Sequence, residues 1–359
     1  MTVKRREIKN ILVIRFRRVG DSVLSMALCH GLRQTFPGAR IDFVINEGIH
    51  TLYENHPDVD RCIVFNDEEN HKACKYIRKV WRTVHDTRYD VIIDMRGTLR
   101  TLLFSLFSRF RTPLRIGKHK WYSWLALSDS IRNYGTGKGS RIVQNNMLLE
   151  PLRKTAEIKP SDQFRLYVDN SRREKMRHEM ETHGIDFSRP VILATPTVRL
   201  EYKVLPANVM QELLRRIIRL SDAQIIFNFG GGKEKETAMR YKHELGDDPH
   251  IFTDIEAPSL PDLCALVSNS TFFFGNEGGP RHIAQALDVP SFAIFPPGIK
   301  KEIWLPNEGL RFAGISPDDI MSADEQERKK LSYSDKMGLL TADKIWNQAE
   351  PMISKYCAL

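Results

Sequence analysis

Residues 271–298, TFFFGNEGGPRHIAQALDVPSFAIFPPG, decide how this chain is built. The stretch reads as a strand (Phe272–Phe274), a turn (Gly275–Gly279), a short helix (Pro280–Leu287) and a second strand (Ser291–Phe295). Pro280 suits the first helical position, because its fixed φ matches the helix and its missing N–H has no intrahelical partner there. Gly278 and Gly279, just before it, let backbone amides come close to a ligand. The unpaired N–H groups and the positive end of the helix dipole then form an anion site. A strand, a glycine turn and a helix at the carboxyl end of a parallel sheet is where a nucleotide diphosphate is held.

The same alternation of apolar runs and helical patterns extends in both directions, the mark of βαβ units. Ile11–Arg15, Ile41–Ile45, Cys62–Phe65 and Val91–Asp94 read as strands of a first half, with helices over Asp21–Thr35 and Tyr76–Thr87. Val191–Thr195, Gln224–Phe229, Thr271–Phe274 and Ser291–Phe295 read as strands of a second half, with helices over Val209–Leu220 and Leu260–Asn269. A linker falls within residues 154–170, and a last helix spans Thr341–Tyr356. The expected organisation is α/β: two doubly wound, Rossmann-like domains, residues 1–160 and 161–340, facing across a cleft, followed by residues 341–359.

The 359 residues suffice for two such domains, and a formal charge of +9 points to anionic partners. Five scattered cysteines without a CxxC pair argue against a disulfide framework or a zinc site and for a reducing cytosol. The apolar run after the basic start, Ile11–Ile14, is too short for a signal peptide, and no stretch approaches the roughly 20 residues of a spanning helix. The expectation is a soluble, cytoplasmic protein, one able to work at the inner face of the cytoplasmic membrane.

In the first half, the loop after the first strand reads RFRRVGDSVLSM. Asp21 is open to two readings. It caps the following helix, or it presents a carboxylate that accepts a proton from a substrate hydroxyl. Arg17 and Arg18 nearby favour its ionised form. Gly20 stands alone, so the GxGxxG dinucleotide fingerprint is absent and a nicotinamide enzyme is not expected.

In the second half, TPTVRLEYKVLP follows the strand Val191–Thr195. Thr195 and Thr197 can donate to phosphate oxygens and Lys203 can neutralise them, or the segment is a polar surface loop. Gly230–Gly232 permit close approach to a ligand, and Glu234 or Glu236 can bind ribose hydroxyls; a flexible turn before a charged helix is the alternative. His282 can bind a diphosphate or sugar, or pack within its helix. All these segments follow second-half strands, so they converge on one sheet edge.

Taken together, VGDSVLSMALCHGLRQTFPGARIDFVI, YDVIIDMRGTLRT, the Lys203 loop and NEGGPRHIAQALDVPSFAIF resemble glycosyltransferase family 9, the heptosyltransferases of lipopolysaccharide core assembly. The resemblance runs in order over nearly the whole chain. It implies a GT-B fold, with the acceptor bound mostly by the first domain, the nucleotide-sugar by the second, and the C-terminal helix packing back on the first. It implies an inverting, metal-independent transfer of heptose from ADP-heptose to a glycolipid acceptor, with no cofactor. Asp21 matches the family's proposed base, Lys203 its diphosphate lysine, Glu234 its ribose glutamate, and Gly279, Pro280 and His282 its Gly-Pro-x-His turn. Arg17, Arg18 and Arg96 are expected to contact the acceptor. Members commonly read Asp-Thr-Gly before the proline, where this chain has Glu277-Gly278-Gly279; the loop also has Val204-Leu205-Pro206 without the usual tryptophan.

Asp58-Val59-Asp60 spells DxD, a metal–diphosphate pattern of another glycosyltransferase fold, but it lies in the wrong half and reads as a surface turn. Residues 96–127 combine Arg100, Arg109, Arg111, Arg115, Lys118 and Lys120 with Phe104, Phe107, Trp121 and Trp124. They suit either phosphorylated lipid A or an anionic leaflet, or else an ordinary core helix followed by a solvated basic loop. A nucleic-acid-binding protein is not expected, since no known RNA- or DNA-binding pattern appears. Other readings are a GT-B transferase that uses another nucleotide-sugar for a different surface glycan, and a non-catalytic sugar-nucleotide binder.

Overall fold

A computed structural model describes residues 7–16, 18–135 and 139–358. The chain forms two compact units, Met1–Tyr167 and Val168–Leu359.

The first unit carries β1 (Asn10–Ile14), β2 (Arg40–Asn46), β3 (Arg61–Phe65), β4 (Val91–Asp94), β5 (Leu114–Lys118) and β6 (Asp129–Ile131). They lie side by side in the order β3-β2-β1-β4-β5-β6, all parallel. The chain runs outward from β1 to β3, then returns to place β4 on the other side of β1. The carboxyl ends of β1 and β4, where Ile14 stands opposite Asp94, are therefore the topological switch point. Near-continuous apolar runs such as ILVI and VII are what a strand covered by helices on both faces requires. On one face Leu12, Ile14, Val44, Phe65 and Ile92 pack against Val80 and Val84 of the helix Ala73–Asp86 and Phe104 of the helix Leu99–Phe107.

The second unit repeats the pattern with β7 (Val191–Thr195), β8 (Gln224–Phe227), β9 (Ile251–Phe252), β10 (Phe272–Asn276), β11 (Ser291–Ile294) and β12 (Phe312–Ile315). Its order, β12-β11-β10-β7-β8-β9, is that of the first sheet with each strand replaced by its counterpart, and again all pairs are parallel. The switch point falls between β7 and β10, with Thr195 opposite Gly275. Phe272, Phe273 and Phe274 are fully buried, and the core beneath Phe272 and Phe274 includes Leu213, Leu214 and Ile217 of the helix Ala207–Ser221.

The helix Ala342–Cys357 buries Ile345, Ala349, Ile353 and Cys357, four residues apart each time, in this second core. It lies on the helix Ala207–Ser221 and on β10 and β12. Its apolar stripe is matched to the second unit's own sheet. No helix among the described residues is long and apolar enough to cross a membrane.

Candidate active site

At the switch point of the first sheet, β1 runs into Arg15 and then the short helix Val19–Val23, whose first turn contains Asp21. Asp21 lies inside this first turn, past the N-cap residue Arg18, and the helix has no side-chain cap among the described residues. Its carboxylate instead accepts from the guanidinium of Arg15, which is buried while the Asp21 side chain keeps 19% exposure. Arg15 also donates to the Met95 carbonyl at 3.0 Å, so it joins the ends of β1 and β4, and its Nε is buried without a partner. Arg18 is exposed, and Arg17 lies outside the described residues. The helix expected over Asp21–Thr35 is broken at Leu24–Ser25 into Val19–Val23 and Met26–Thr35.

Asp94, at the end of β4, is fully buried and organises the adjacent turn. Its Oδ1 accepts from the backbone N–H of Arg96 at 2.8 Å and of Gly97 at 2.9 Å, and its Oδ2 accepts from the Thr101 hydroxyl at 2.7 Å. Burial holds its carboxyl above the usual range against those hydrogen bonds. Arg96 thereby stands on the same sheet edge as Asp21. Gly97, at φ +68°, lets the chain turn beside the Lys118 side chain.

Lys118 ends β5, the strand next to β4. Its ammonium lies 3.9 Å from the centre of the Tyr134 ring, and the Tyr134 hydroxyl donates to Asn145 Oδ1 at 2.7 Å. Burial, with help from Arg15 and Arg141, pushes Lys118 down to about 7, against the pull of Asp94 and Asp21. The edge around Asp21 is thus built from Arg15, Arg96, Lys118, Tyr134 and Arg141. Among these, sequence reasoning singled out Arg96 alone as a contact.

In the second unit three loops leave the carboxyl ends of the adjacent strands β10, β7 and β8. Asn276 holds two of them together. Its amide donates to the carbonyls of Thr195 and Pro196 at 3.0 and 3.1 Å, and its Oδ1 accepts from the Leu205 N–H at 3.0 Å, two residues past Lys203. The Thr195 hydroxyl donates to the Asn276 carbonyl at 3.1 Å, so it serves the scaffold and not a phosphate. Thr197 differs: its hydroxyl oxygen is buried and has no hydrogen-bond partner. Lys203, in the turn Glu201–Lys203, is half-buried, with its ammonium 5.7 Å from the Tyr202 ring centre.

Gly275 has φ +138°, and a Cβ there would sit 2.7–2.8 Å from the backbone O and N of Thr195. Gly278 is extended, and a Cβ there would meet only Pro280, at 3.7 Å. The helix Gly279–Ala286 follows, with no side-chain cap at its start. Glu277 and His282 are expected from the sequence to touch the donor; the structure turns them toward each other. Glu277 accepts from Arg281 Nε at 2.7 Å and Nη2 at 3.1 Å, and its Oε1 lies 3.0 Å from His282 Nε2. Arg281 is fully buried and also donates to Gln285 Oε1 and the Trp304 carbonyl, each at 2.7 Å. Burial pushes Glu277 up, but Arg281 and His282 outweigh it and hold the carboxyl at about 2. Glu234 folds back on the third loop, its carboxylate accepting from the Gly230 N–H at 3.0 Å.

The DxD letters are structural. Asp58 is buried against His30 Nδ1 at 3.0 Å, where a surface turn is expected from the sequence. Asp60 accepts from Arg33 at 2.6 Å and from the Ile41 N–H at 2.7 Å. Among the described residues no three His, Cys, Asp or Glu side chains are grouped to hold a metal ion.

Two sheets of one topology, each with polar loops at its switch point, are the two Rossmann-like units of a GT-B fold. The profile of glycosyltransferase family 9 (heptosyltransferase) matches residues 77–338, and the chain belongs to that family. Lipopolysaccharide heptosyltransferase 3 of Escherichia coli K12 is 22% identical over 282 residues, 77% of this chain and 79% of that protein. Among solved structures, a family 9 glycosyl transferase from Veillonella parvula superposes with a TM-score of 0.82 at 17% identity, covering 97% of this chain and 98% of that one. An E. coli heptosyltransferase with ADP-2-deoxy-2-fluoro heptose superposes with a TM-score of 0.66 at 16% identity, covering 95% and 99%.

Proposed function

We propose that this glycosyltransferase moves heptose from ADP-heptose to a sugar of a lipopolysaccharide core, with inversion at the anomeric carbon and without a metal. The observation that carries the donor half is the Thr197 hydroxyl, buried and unpaired in the loop that Asn276 ties to the end of β10, three residues before the helix Gly279–Ala286. A buried hydroxyl left without a partner costs about 1–3 kcal/mol, and a diphosphate oxygen would satisfy it. The family and the donor analogue held by the E. coli relative favour ADP-heptose.

In this reading the second unit binds the donor. Thr197, Lys203 and the amides of Gly278 and Gly279 take the diphosphate, while Glu234 and Gly230 border the ribose. Glu277 and His282 are positioning residues: they brace Arg281 and so fix where the helix begins. Thr195 does the same for the Thr197 loop. The first unit presents Asp21 to the acceptor, whose anionic groups meet Arg18, Arg96 and Lys118, with Arg17 retained as a contact. Arg15 fixes the Asp21 carboxylate in one orientation.

The acceptor hydroxyl attacks the anomeric carbon as its proton passes to Asp21, and the bond from that carbon to the ADP oxygen breaks. The leaving diphosphate gains negative charge, which Lys203, the Thr197 hydroxyl and the helix amides offset in place. Titration calorimetry of the whole chain with ADP, UDP and GDP tests the donor assignment. ADP is expected to bind at least about tenfold tighter than the others, a difference of ~1.4 kcal/mol. Preference for UDP or GDP, or no binding of any, refutes it.

A further inference from the structure

We propose that Tyr202 and Tyr333 form an aromatic shelf in the second unit that recognises the sugar of the nucleotide-sugar donor. This assignment rests on the donor reading above, in which Lys203 holds the diphosphate. The two rings are in edge contact, their centres 5.6 Å apart at an interplanar angle of 71°. Tyr202 is nevertheless 59% exposed and Tyr333 36%. Single aromatic residues scattered on a surface need no explanation, but a touching, exposed pair beside a binding lysine marks a ligand surface.

Both rings stand on backbone that the second core anchors. Tyr202 lies in the turn Glu201–Lys203, where the Lys203 N–H donates to the Leu200 carbonyl at 2.8 Å. Two residues past Lys203, Leu205 is buried and its N–H donates to Asn276 Oδ1 at 3.0 Å. Tyr333 opens the helix Tyr333–Gly338, whose start is fixed by a reciprocal pair of bonds. The Asp335 N–H donates to Ser332 Oγ at 3.1 Å, and the Ser332 N–H donates to Asp335 Oδ2 at 3.0 Å. Met337 of this helix packs in the same core as Leu205. The shelf is therefore preorganised, and a ligand that lands on it loses little affinity to ordering the protein.

Position along the donor selects the occupant. A nucleotide-sugar runs base, ribose, diphosphate, sugar. Gly230 and Glu234, which border the ribose, follow β8, and the base lies beyond them. Tyr202 instead precedes the diphosphate lysine on the loop after β7, and the Lys203 ammonium is 5.7 Å from its ring centre. The group next to the diphosphate on the side away from the ribose is the sugar. Glu277 and His282, expected from the sequence to touch the donor, are bonded to Arg281 and to each other. Recognition of the sugar thus falls to other side chains. A sugar ring has a face of C–H groups and a rim of hydroxyls, and tyrosine meets it with an apolar ring face and a hydroxyl.

Titration calorimetry of the whole chain with ADP and with ADP-heptose tests this, because the ratio of the two affinities isolates the sugar. Tyr202→Ala and Tyr333→Ala are each expected to weaken ADP-heptose binding by roughly threefold to tenfold, the weight of one aromatic contact, with ADP affinity within about twofold of wild type. Tyr202→Phe and Tyr333→Phe keep the rings and are expected to retain most of the ADP-heptose affinity. Circular dichroism is expected to be unchanged in all four, since both side chains are exposed. The proposal is overturned if the alanine variants bind ADP-heptose like the wild type, or if the phenylalanine variants lose as much as the alanine ones. It is equally overturned if ADP affinity falls by the same factor as ADP-heptose affinity, because the rings then serve the base or the diphosphate. A wild type that binds neither compound sinks the donor reading and this assignment together, whereas one that binds both, with no loss in the variants, sinks this assignment alone.

Discussion

Replacing Glu277 with glutamine removes the charge that Arg281 and His282 surround, and the cost is expected to depend on pH in a defined way. The carboxyl is held at about 2 in the folded state against 4.5 as an ordinary glutamate. At ~1.4 kcal/mol for each pH unit, that difference amounts to about 3 kcal/mol. The value agrees with the roughly 3–5 kcal/mol lost when one member of a buried ion pair is removed. Because the folded-state value lies below the unfolded one, the contribution is whole above about 4.5 and disappears as pH falls through about 2. Glu277→Gln is therefore expected to destabilise the second unit by about 3 kcal/mol at pH 7, or roughly 6–12 °C in Tm for a unit of this size. The penalty should shrink steadily below pH 4.5. Urea unfolding of both proteins between pH 3 and 7 measures it. An equal penalty at pH 3 and pH 7, or none at pH 7, refutes the assignment of Glu277 as the charged centre of this cluster.

Three other substitutions probe separate parts of the account. Gly275→Ala would force a Cβ into the Thr195 backbone at a positive φ, so a loss of more than about 2 kcal/mol is expected in thermal unfolding; a change within 0.5 kcal/mol, on the order of a neutral surface substitution, contradicts the close strand approach. Thr197→Val is expected to leave stability unchanged or slightly higher, because the hydroxyl is buried and unpaired, while ADP affinity in calorimetry falls about tenfold or more. Unchanged ADP affinity removes Thr197 from the donor site. Lys118→Met is expected to stabilise the chain at pH 6, with the gain shrinking as pH rises from about 7 toward 10.5, since the folded protein must hold a buried ammonium at low pH. Urea unfolding across pH 6–10 checks the sign, and a gain that grows with pH contradicts it.

The strands legible in the sequence are those with unbroken apolar runs: ILVI, VIID, VILAT and FFF each announce a buried parallel strand. β5 escaped because Leu114–Lys118 reads LRIGK, with two cations and a glycine. Arg115 is tolerated inside because its guanidinium is satisfied by the carbonyls of Ala126 and Thr112. β12, FAGI, is hidden for a related reason: Gly314 lies where a Cβ would strike the Ala293 carbonyl, so close packing replaced a branched side chain.

Site residues in loops that follow long strands were readable, since the topology places those loops together. Their partners were not. Nothing near Asp21 in sequence distinguishes Arg15 from Arg17 and Arg18; only the return of β4 beside β1 gives Arg15 the Met95 carbonyl to span. Tyr134 and Arg141 lie more than a hundred residues from Asp21 and have no motif. Thr195 and Thr197 look alike as letters. Their hydroxyls diverge because β10 passes beside β7 and its Asn276 carbonyl takes one of them.

The most direct test of the central claim compares Asp21→Asn with the wild type, measuring glycosyl transfer and ADP affinity on the same preparations. Transfer is predicted to fall by roughly 10²–10⁴-fold, the usual weight of a general base, while ADP affinity stays within about twofold. Transfer at the wild-type rate would contradict the account.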